Sequence, residues 1–334
     1  MRIDPALQAL RSDDAPQRHA QDAMLGAAEA WRQSDEGLAL AKAMDAYAAG
    51  ADLNACGYLS DIFASCQKAS AFADLFIALF MPVLADNPLG IVPARYSMNG
   101  PVATMVLAGR ANVTLSLVSY CADGGVAVPP ARSATFACGE RHEAILAGSA
   151  HIRRVSKIAV PASAGTGQQF SIEPETLTAG DTFSMDTGQQ TMLVDHVADH
   201  LLTLRLVRTS SSLQPTCEYD LETGALLHQS AADAMTSARE LKLALLGRMK
   251  RIEAAPAVAA LALRNDQPDH LRWQALREAL ALDTRDGFVA LSTVARDSAD
   301  SLAEPAGALR AQLLETYPVL AGLDSTTETS QCPA

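Results

Sequence analysis

The chain has 334 residues, of which 49% are hydrophobic and 19% charged, and its formal net charge is −12. This composition excludes a mainly disordered chain and supports a large buried core. The acidic balance repels nucleic-acid phosphates and anionic lipid head groups, so neither nucleic acid nor a membrane is expected as a partner. The six cysteines (Cys56, Cys66, Cys121, Cys138, Cys217 and Cys332) are scattered without a CxxC pair, the pattern of reduced, small apolar residues rather than a disulfide framework or zinc site. The first fourteen residues lack the apolar segment of a secretory signal. The most hydrophobic stretch, Phe72 to Leu84, carries Asp74 and Pro82 and is too short to span a bilayer. A soluble, cytoplasmic, bacterial-type protein is therefore expected.

From Asp14 to Asp86 the pattern is helical. Leu40, Met44 and Tyr47 recur at helical spacing, with Gly50 placed to end the helix. Phe72, Leu75, Phe76, Leu79, Phe80 and Val83 follow the i, i+3, i+4, i+7 rule; with Ile77 and Met81 the segment is apolar almost all round and is expected to be central. Asp86-Asn87-Pro88-Leu89-Gly90 stops it. Near Met98 the period changes to two. Val113, Leu115 and Leu117 alternate with polar residues, as do Leu202, Leu204 and Leu206. Further β-rich segments fall near 102–108, 133–138, 141–147, 150–158, 169–173, 189–195, 215–220 and 225–229, separated by turn clusters such as 122–125 and 162–167. Many short strands with regular turns indicate an antiparallel sandwich or jelly roll. Glu218 to Leu227 reads as a closing hairpin with Gly224 at a position requiring positive φ.

Beyond Ala232 helices return. Ser237 and Glu240 have capping-box spacing, as do Ser301 and Glu304. Pro256 and Pro268 can each open a helix, Thr284 can cap one, and Pro318 follows the last. The fold class expected is thus α+β: a helical N-terminal region (1–97), a central antiparallel β-sandwich (98–231), a helical C-terminal region (232–323) and a polar, disordered tail (324–334). The amphipathic faces of the helices offer surfaces for a second copy or a protein partner.

No GxxxxGK[ST], GxGxxG or GxSxG signature is present. The serine- and threonine-rich run Thr209 to Thr216 reads as a loop. His142-Glu143 begins like HExxH, but Leu146 stands where the second histidine should. His196 and His200 have i, i+4 spacing yet fall at a turn between β segments. By alternation His200 shares a face with Leu202, Leu204 and Leu206, pointing inward as a hydrogen-bonded core residue. Arg205 and Arg208, with Arg153 and Arg154, could clamp a carboxylate or phosphate in a barrel mouth; the plainer reading is exposed charges paired with nearby acids. Arg239, Lys242, Arg248, Lys250 and Arg251 form a basic patch, read as a solvated helix face rather than a nucleic-acid site.

Ser116-Leu117-Val118-Ser119-Tyr120, then Glu143 to Gly148-Ser149-Ala150-His151, then Leu177-Thr178-Ala179-Gly180-Asp181-Thr182-Phe183 resembles the motif order of the cupin superfamily, the cysteine-dioxygenase-like members most. The resemblance spans roughly residues 100–210. It implies a jelly-roll β domain and, in metal-dependent members, an HxH pair before the first Gly turn with a third His after the second. Aligned on Gly148 and Gly180-Asp181, those slots fall at Phe136 to Cys138 and at Gln190 or Thr191, none of them histidine. Two functions remain. The first is a non-catalytic small-molecule- or protein-binding regulatory protein on a metal-free cupin-like domain, taking a small anionic ligand through His200, Arg205 and His142. The second is a metal-dependent, dioxygenase-like enzyme using Fe, Ni or Zn on a shifted set of His142, Glu143, His196 and His200. The missing HxH favours the first, with no cofactor.

Overall fold

The computed structural model describes residues 12–122, 130–159, 167–210, 214–231 and 234–324. The turn expected at 123–125, most of the one at 162–167, the centre of the Ser/Thr run at 211–213, Cys332 and the tail from 325 onward lie outside the described residues. The chain divides into two compact units, Met1–Ser211 with Cys217–Gln229, and Ser212–Thr216 with Ser230–Ala334.

The first unit opens with helices α1 (Ala15–Gln33), α2 (Asp35–Ala48), α3 (Tyr58–Phe63) and α4 (Cys66–Asp86). Ser34 and Ser65 begin α2 and α4 by accepting the free backbone N–H of Gly37 and Lys68 at 3.1 and 3.3 Å. Gly50, with φ +103°, follows the end of α2. Leu40, Met44 and Tyr47 are buried, as their spacing requires. On α4 the expectation of an all-round buried helix is not met. Ala69, Phe72, Ala73, Phe76 and Phe80 face inward, while Leu75, Ile77 and Met81 are exposed. The helix is also longer than its most apolar stretch. It is 21 residues long and its most apolar 18-residue window has a mean hydropathy of 1.7, the length and composition to cross a membrane; in this fold its inward face seals a core shared with the sheet.

That sheet contains β1 (Arg95–Asn99), β2 (Val102–Arg110), β3 (Val113–Cys121), β5 (Gly139–Ile158), β6 (Gln169–Thr178), β7 (Thr182–Asp186) and β8 (Gln190–Thr209), with the short β4 (Ser133–Phe136) lying between β3 and β5 in the chain. Its order is β1-β2-β3-β8-β5-β6, with β7 also paired to β5, and every pairing is antiparallel. A second sheet, ordered β10-β9-β4, is made with β9 (Thr216–Asp220) and β10 (Leu226–Ser230). It packs on the first through Phe136, Val155, Phe170 and Tyr219, with the Phe136 and Phe170 rings stacked at 5.7 Å. The result is the expected antiparallel β-sandwich with flanking helices. Pro174, which cannot donate to a ladder, sits in the edge strand β6.

Sequence spacing divides both β5 and β8 in two, but each is one 20-residue strand. Pairing shifts at Ile145/Ala147, Gly148/Ala150 and His151/Ile152 carry β5 past β8 without a break. A bulge bends a strand and resets its alternation, whereas a turn would end it. Gly148 has φ +79°, and a Cβ there would collide with the carbonyl oxygen of His200. Gly224 has the expected positive φ, +70°, in the β9–β10 hairpin.

The second unit contains α5 (Ala234–Arg248), α6 (Ala255–Ala262), α7 (Asp269–Leu282), α8 (Thr284–Arg296), α9 (Ala303–Thr316) and the short α10 (Ala321–Asp324). Leu271, Leu276, Phe288, Leu291 and Val294 centre its core, and alanines at 275, 279 and 306 close the spaces between helices. The proline signals are correct: Pro256 lies in the first turn of α6 and Pro268 immediately precedes α7. The capping boxes are not. Ser237 and Glu240 lie inside α5, the Ser301 hydroxyl donates to Asp269 at 2.8 Å, and α8 is capped by Asp283, one residue before Thr284.

Candidate functional site

Strand β5 carries chemistry on both faces near its start, because successive side chains point to opposite sides. Glu140 and His142 face the helical layer; Arg141 and Glu143 face the other way, toward Ile145, Leu201, Phe183 and Met185. Antiparallel pairing brings Arg208 beside Glu140 and Arg205 beside Glu143.

On the helical face the Tyr47 hydroxyl donates to Glu140 Oε2 at 2.9 Å and lies 3.1 Å from His142 Nε2. Arg208 donates to Glu140 Oε1 at 2.8 Å and to the Tyr47 and Ala51 carbonyls at 2.8 Å each, with its guanidinium 4.0 Å over the Tyr47 ring. A cation there also suits the carbonyl end of α2. Burial holds the His142 imidazole below its ordinary pKa, against an opposing pull from Glu140. Burial, reinforced by Glu140, raises the Tyr47 phenol. For Glu140 burial acts upward, but hydrogen bonds from Arg208 and Tyr47 outweigh it and keep the carboxylate below its usual range. A groove of about 720 Å³ opens beside these groups, with Asp52, Asn54, Phe63 and Phe183 on its walls. Each charge has its partner, so this cluster fastens α2 and the following turn to the sheet.

The opposite face differs. Arg141 donates to Glu143 Oε1 through Nε at 2.9 Å and Nη2 at 2.6 Å, and Arg205 Nε donates to the same oxygen. Arg205 Nη2 also donates to the Tyr120 hydroxyl at 2.6 Å. Glu143 is fully buried, while 14% of the Arg141 side chain and 18% of Arg205 remain exposed. Burial opposes the Arg205 charge, but Glu143 and Tyr120 more than offset it and hold the guanidinium above its ordinary pKa. Among the described residues Glu143 Oε2 and the nearby Thr203 hydroxyl have no hydrogen-bond partner. Two guanidiniums against one carboxylate leave a formal charge of +1, with both Nη1 groups unused among the described residues.

The other expected site residues are dispersed. His142 and Glu143 face opposite sides of β5. His196 stacks on His151 with ring centroids 6.1 Å apart. His200 keeps the parity of Leu202 but stands at the last rung of the β3–β8 ladder, opposite exposed Cys121. There it is half exposed and bonded to Asp199 at 2.9 Å rather than buried in the core. The structure therefore does not bring His142, Glu143, His196 and His200 together. Among the described residues no three His, Cys, Asp or Glu side chains converge as a metal would need. Nor do the four arginines form one clamp. Arg205 and Arg208 differ by three positions and so face opposite sides, Arg153 pairs with Asp195 at 2.8 Å, and Arg154 with Glu175 at 2.8 Å. The sequence singles out neither Arg141 nor Tyr120 as a site residue; Tyr120 enters it only as the end of a strand motif. The i, i+2 spacing of Arg141 and Glu143 is a usable signal, while the approach of Tyr120 depends on strand register.

No family model matches the chain, and no curated protein sequence does. Solved structures of similar local arrangement include a cupin superfamily protein from Desulfitobacterium hafniense, at 16% identity and a TM-score of 0.24 over 34% of this chain and 83% of that one. They also include an RmlC-like cupin from Shewanella frigidimarina, at 11% identity and a TM-score of 0.23 over 36% and 87%. A third is the 7S globulin of Momordica charantia, at 15% identity and a TM-score of 0.25 over 40% and 36%. These low scores leave strand order and register as the ground for the fold.

Proposed function

We propose that the chain is a non-catalytic binding protein of cupin-like type, whose β-sandwich takes a small anionic ligand at Arg141 and Arg205. The observation that carries this reading is the shared Glu143 oxygen: two guanidiniums converge on one carboxylate and keep free donors at the solvent edge. Charge-assisted, bidentate donation suits a carboxylate or phosphate. Of the residues singled out in the sequence, Arg205 belongs to this site; His142 and His200 lie elsewhere and are not part of it.

Calorimetric titration with malonate, lactate and inorganic phosphate tests the proposal. Saturable binding of at least one, weakened about tenfold or more in Arg141→Gln, is expected from the loss of a hydrogen bond to a charged group. Arg141 is preferred to Arg205 because Arg205 also holds the Tyr120 hydroxyl, so its loss would disturb a second group. Binding that ignores Arg141→Gln, or none of the three binding, overturns the reading. So does stoichiometric iron, nickel or zinc that is lost in His142→Ala.

A further inference from the structure

A second cavity lies on the helical side of the sheet, away from the Arg141–Arg205 cluster. It measures about 270 Å³ and is bounded by α1, α2, α4 and the β1–β2 edge. Its lining is mixed: Val92, Leu107 and the edge of Trp31 supply apolar wall over the buried Met44, Phe76 and Phe80, and polar groups make up more of the exposed surface than apolar ones. The Trp31 and Phe76 rings meet edge-on at 5.9 Å, and Phe76 lies 5.1 Å from Phe80. One wall is a β-bulge: the β2–β3 register shifts between Val106 and Ala108, leaving Leu107 as the additional residue. Bulges at such places redirect a strand beside a site. The lining includes three exposed arginines, Arg32, Arg95 and Arg110. Arg32 leans on Glu29 at 3.0 Å and Arg110 on Asp45 at 3.6 Å, whereas Arg95 has no acidic partner among the described residues. Three cations against two carboxylates leave the rim with a formal excess of one positive charge.

We infer that this cavity is a binding site for a small amphipathic carboxylate, a short acyl chain or single aromatic ring with an acid group. Its apolar part rests on the wall formed by Val92, Leu107 and the edge of Trp31, and its carboxylate stays at the arginine rim. Drug-sized ligands occupy pockets of about 300–1,000 Å³, so a cavity of 270 Å³ suits one ring or a short chain. The apolar wall removes part of the ligand's hydrocarbon from water, and the rim selects for negative charge, so a mixed lining suits an amphipathic anion rather than a purely apolar molecule.

The test uses octanoate, with octylamine as the comparator of opposite charge. Trp31 reports occupancy in a Trp273→Phe background, which leaves it the only tryptophan. Octanoate is expected to change the Trp31 emission saturably. The response should weaken about tenfold in the combined Arg32→Gln, Arg95→Gln, Arg110→Gln variant, vanish when Ala41→Phe fills the cavity, and persist in Arg141→Gln. The arginine positions are exposed, so that variant remains decisive should Ala41→Phe fail to fold. An absent response to octanoate, an equal response in the triple variant, or binding of octylamine as tight as octanoate overturns the inference. Loss of the response in Arg141→Gln also overturns it, by assigning octanoate to the other site.

Discussion

His142 illustrates how one side chain can be read three ways. In the sequence it suggests either an anion-binding residue or a metal ligand; in the structure its ring lies 6.3 Å from Phe63 and touches the Tyr47 hydroxyl as part of a structural cluster. Its pKa is depressed in the folded state, burial being the first cause. As pH falls below the ordinary value of 6.5 the unfolded chain takes up the proton first, so stability declines with acidification. The lowered Glu140 pKa acts in the same direction at lower pH. Urea midpoints measured from pH 7.5 to 5 should fall, and His142→Gln should flatten the part of that slope around pH 6. An unchanged slope would remove His142 from the account.

At the scale of elements, bulges decide what the sequence could disclose. The hydrophobic alternation of β3 and the upper part of β8 was legible because nothing interrupts it between Val113 and Leu117 or between Leu202 and Leu206. Gly224 was legible because a hairpin requires positive φ between two β-rich runs. The continuity of β5 and β8 was not, since a bulge and a turn both break alternation and only the partner strand distinguishes them. The candidate site suffered from the same ambiguity. Arg205 could be named, but its neighbours Glu143 and Tyr120 are 62 and 85 positions away and meet it only through register. Gly148 marks the bend itself. Gly148→Ala should destabilise the first unit by more than about 1 kcal/mol, because φ is positive and the Cβ has no room. A chemical-denaturation midpoint equal to wild type would show that the bend does not depend on glycine.

Across the whole molecule, each unit keeps a buried ionic group within its own apolar core. In the second unit Arg272 forms a bidentate pair with Asp300 and also donates to the Ala262 carbonyl at 3.0 Å. Both side chains are almost wholly buried. Removing one partner of such a pair strands the other, at about 3–5 kcal/mol, so Asp300→Asn should greatly lower the midpoint of that unit. Hydrogen bonding from Arg272 lowers the Asp300 pKa, and the stability it gives is present above the unfolded value of 3.8 and lost as pH falls below it. In the first unit the corresponding group is Arg141–Glu143–Arg205, and there the pairing is incomplete. Among the described residues Glu143 Oε2 lacks a donor, and the cluster retains a positive charge near solvent. A crystal structure of the protein grown with the tightest of malonate, lactate and phosphate tests that difference most directly. The predicted result is the anion within about 3 Å of guanidinium nitrogens of both Arg141 and Arg205. A cluster closed on itself with the anion bound elsewhere would contradict it.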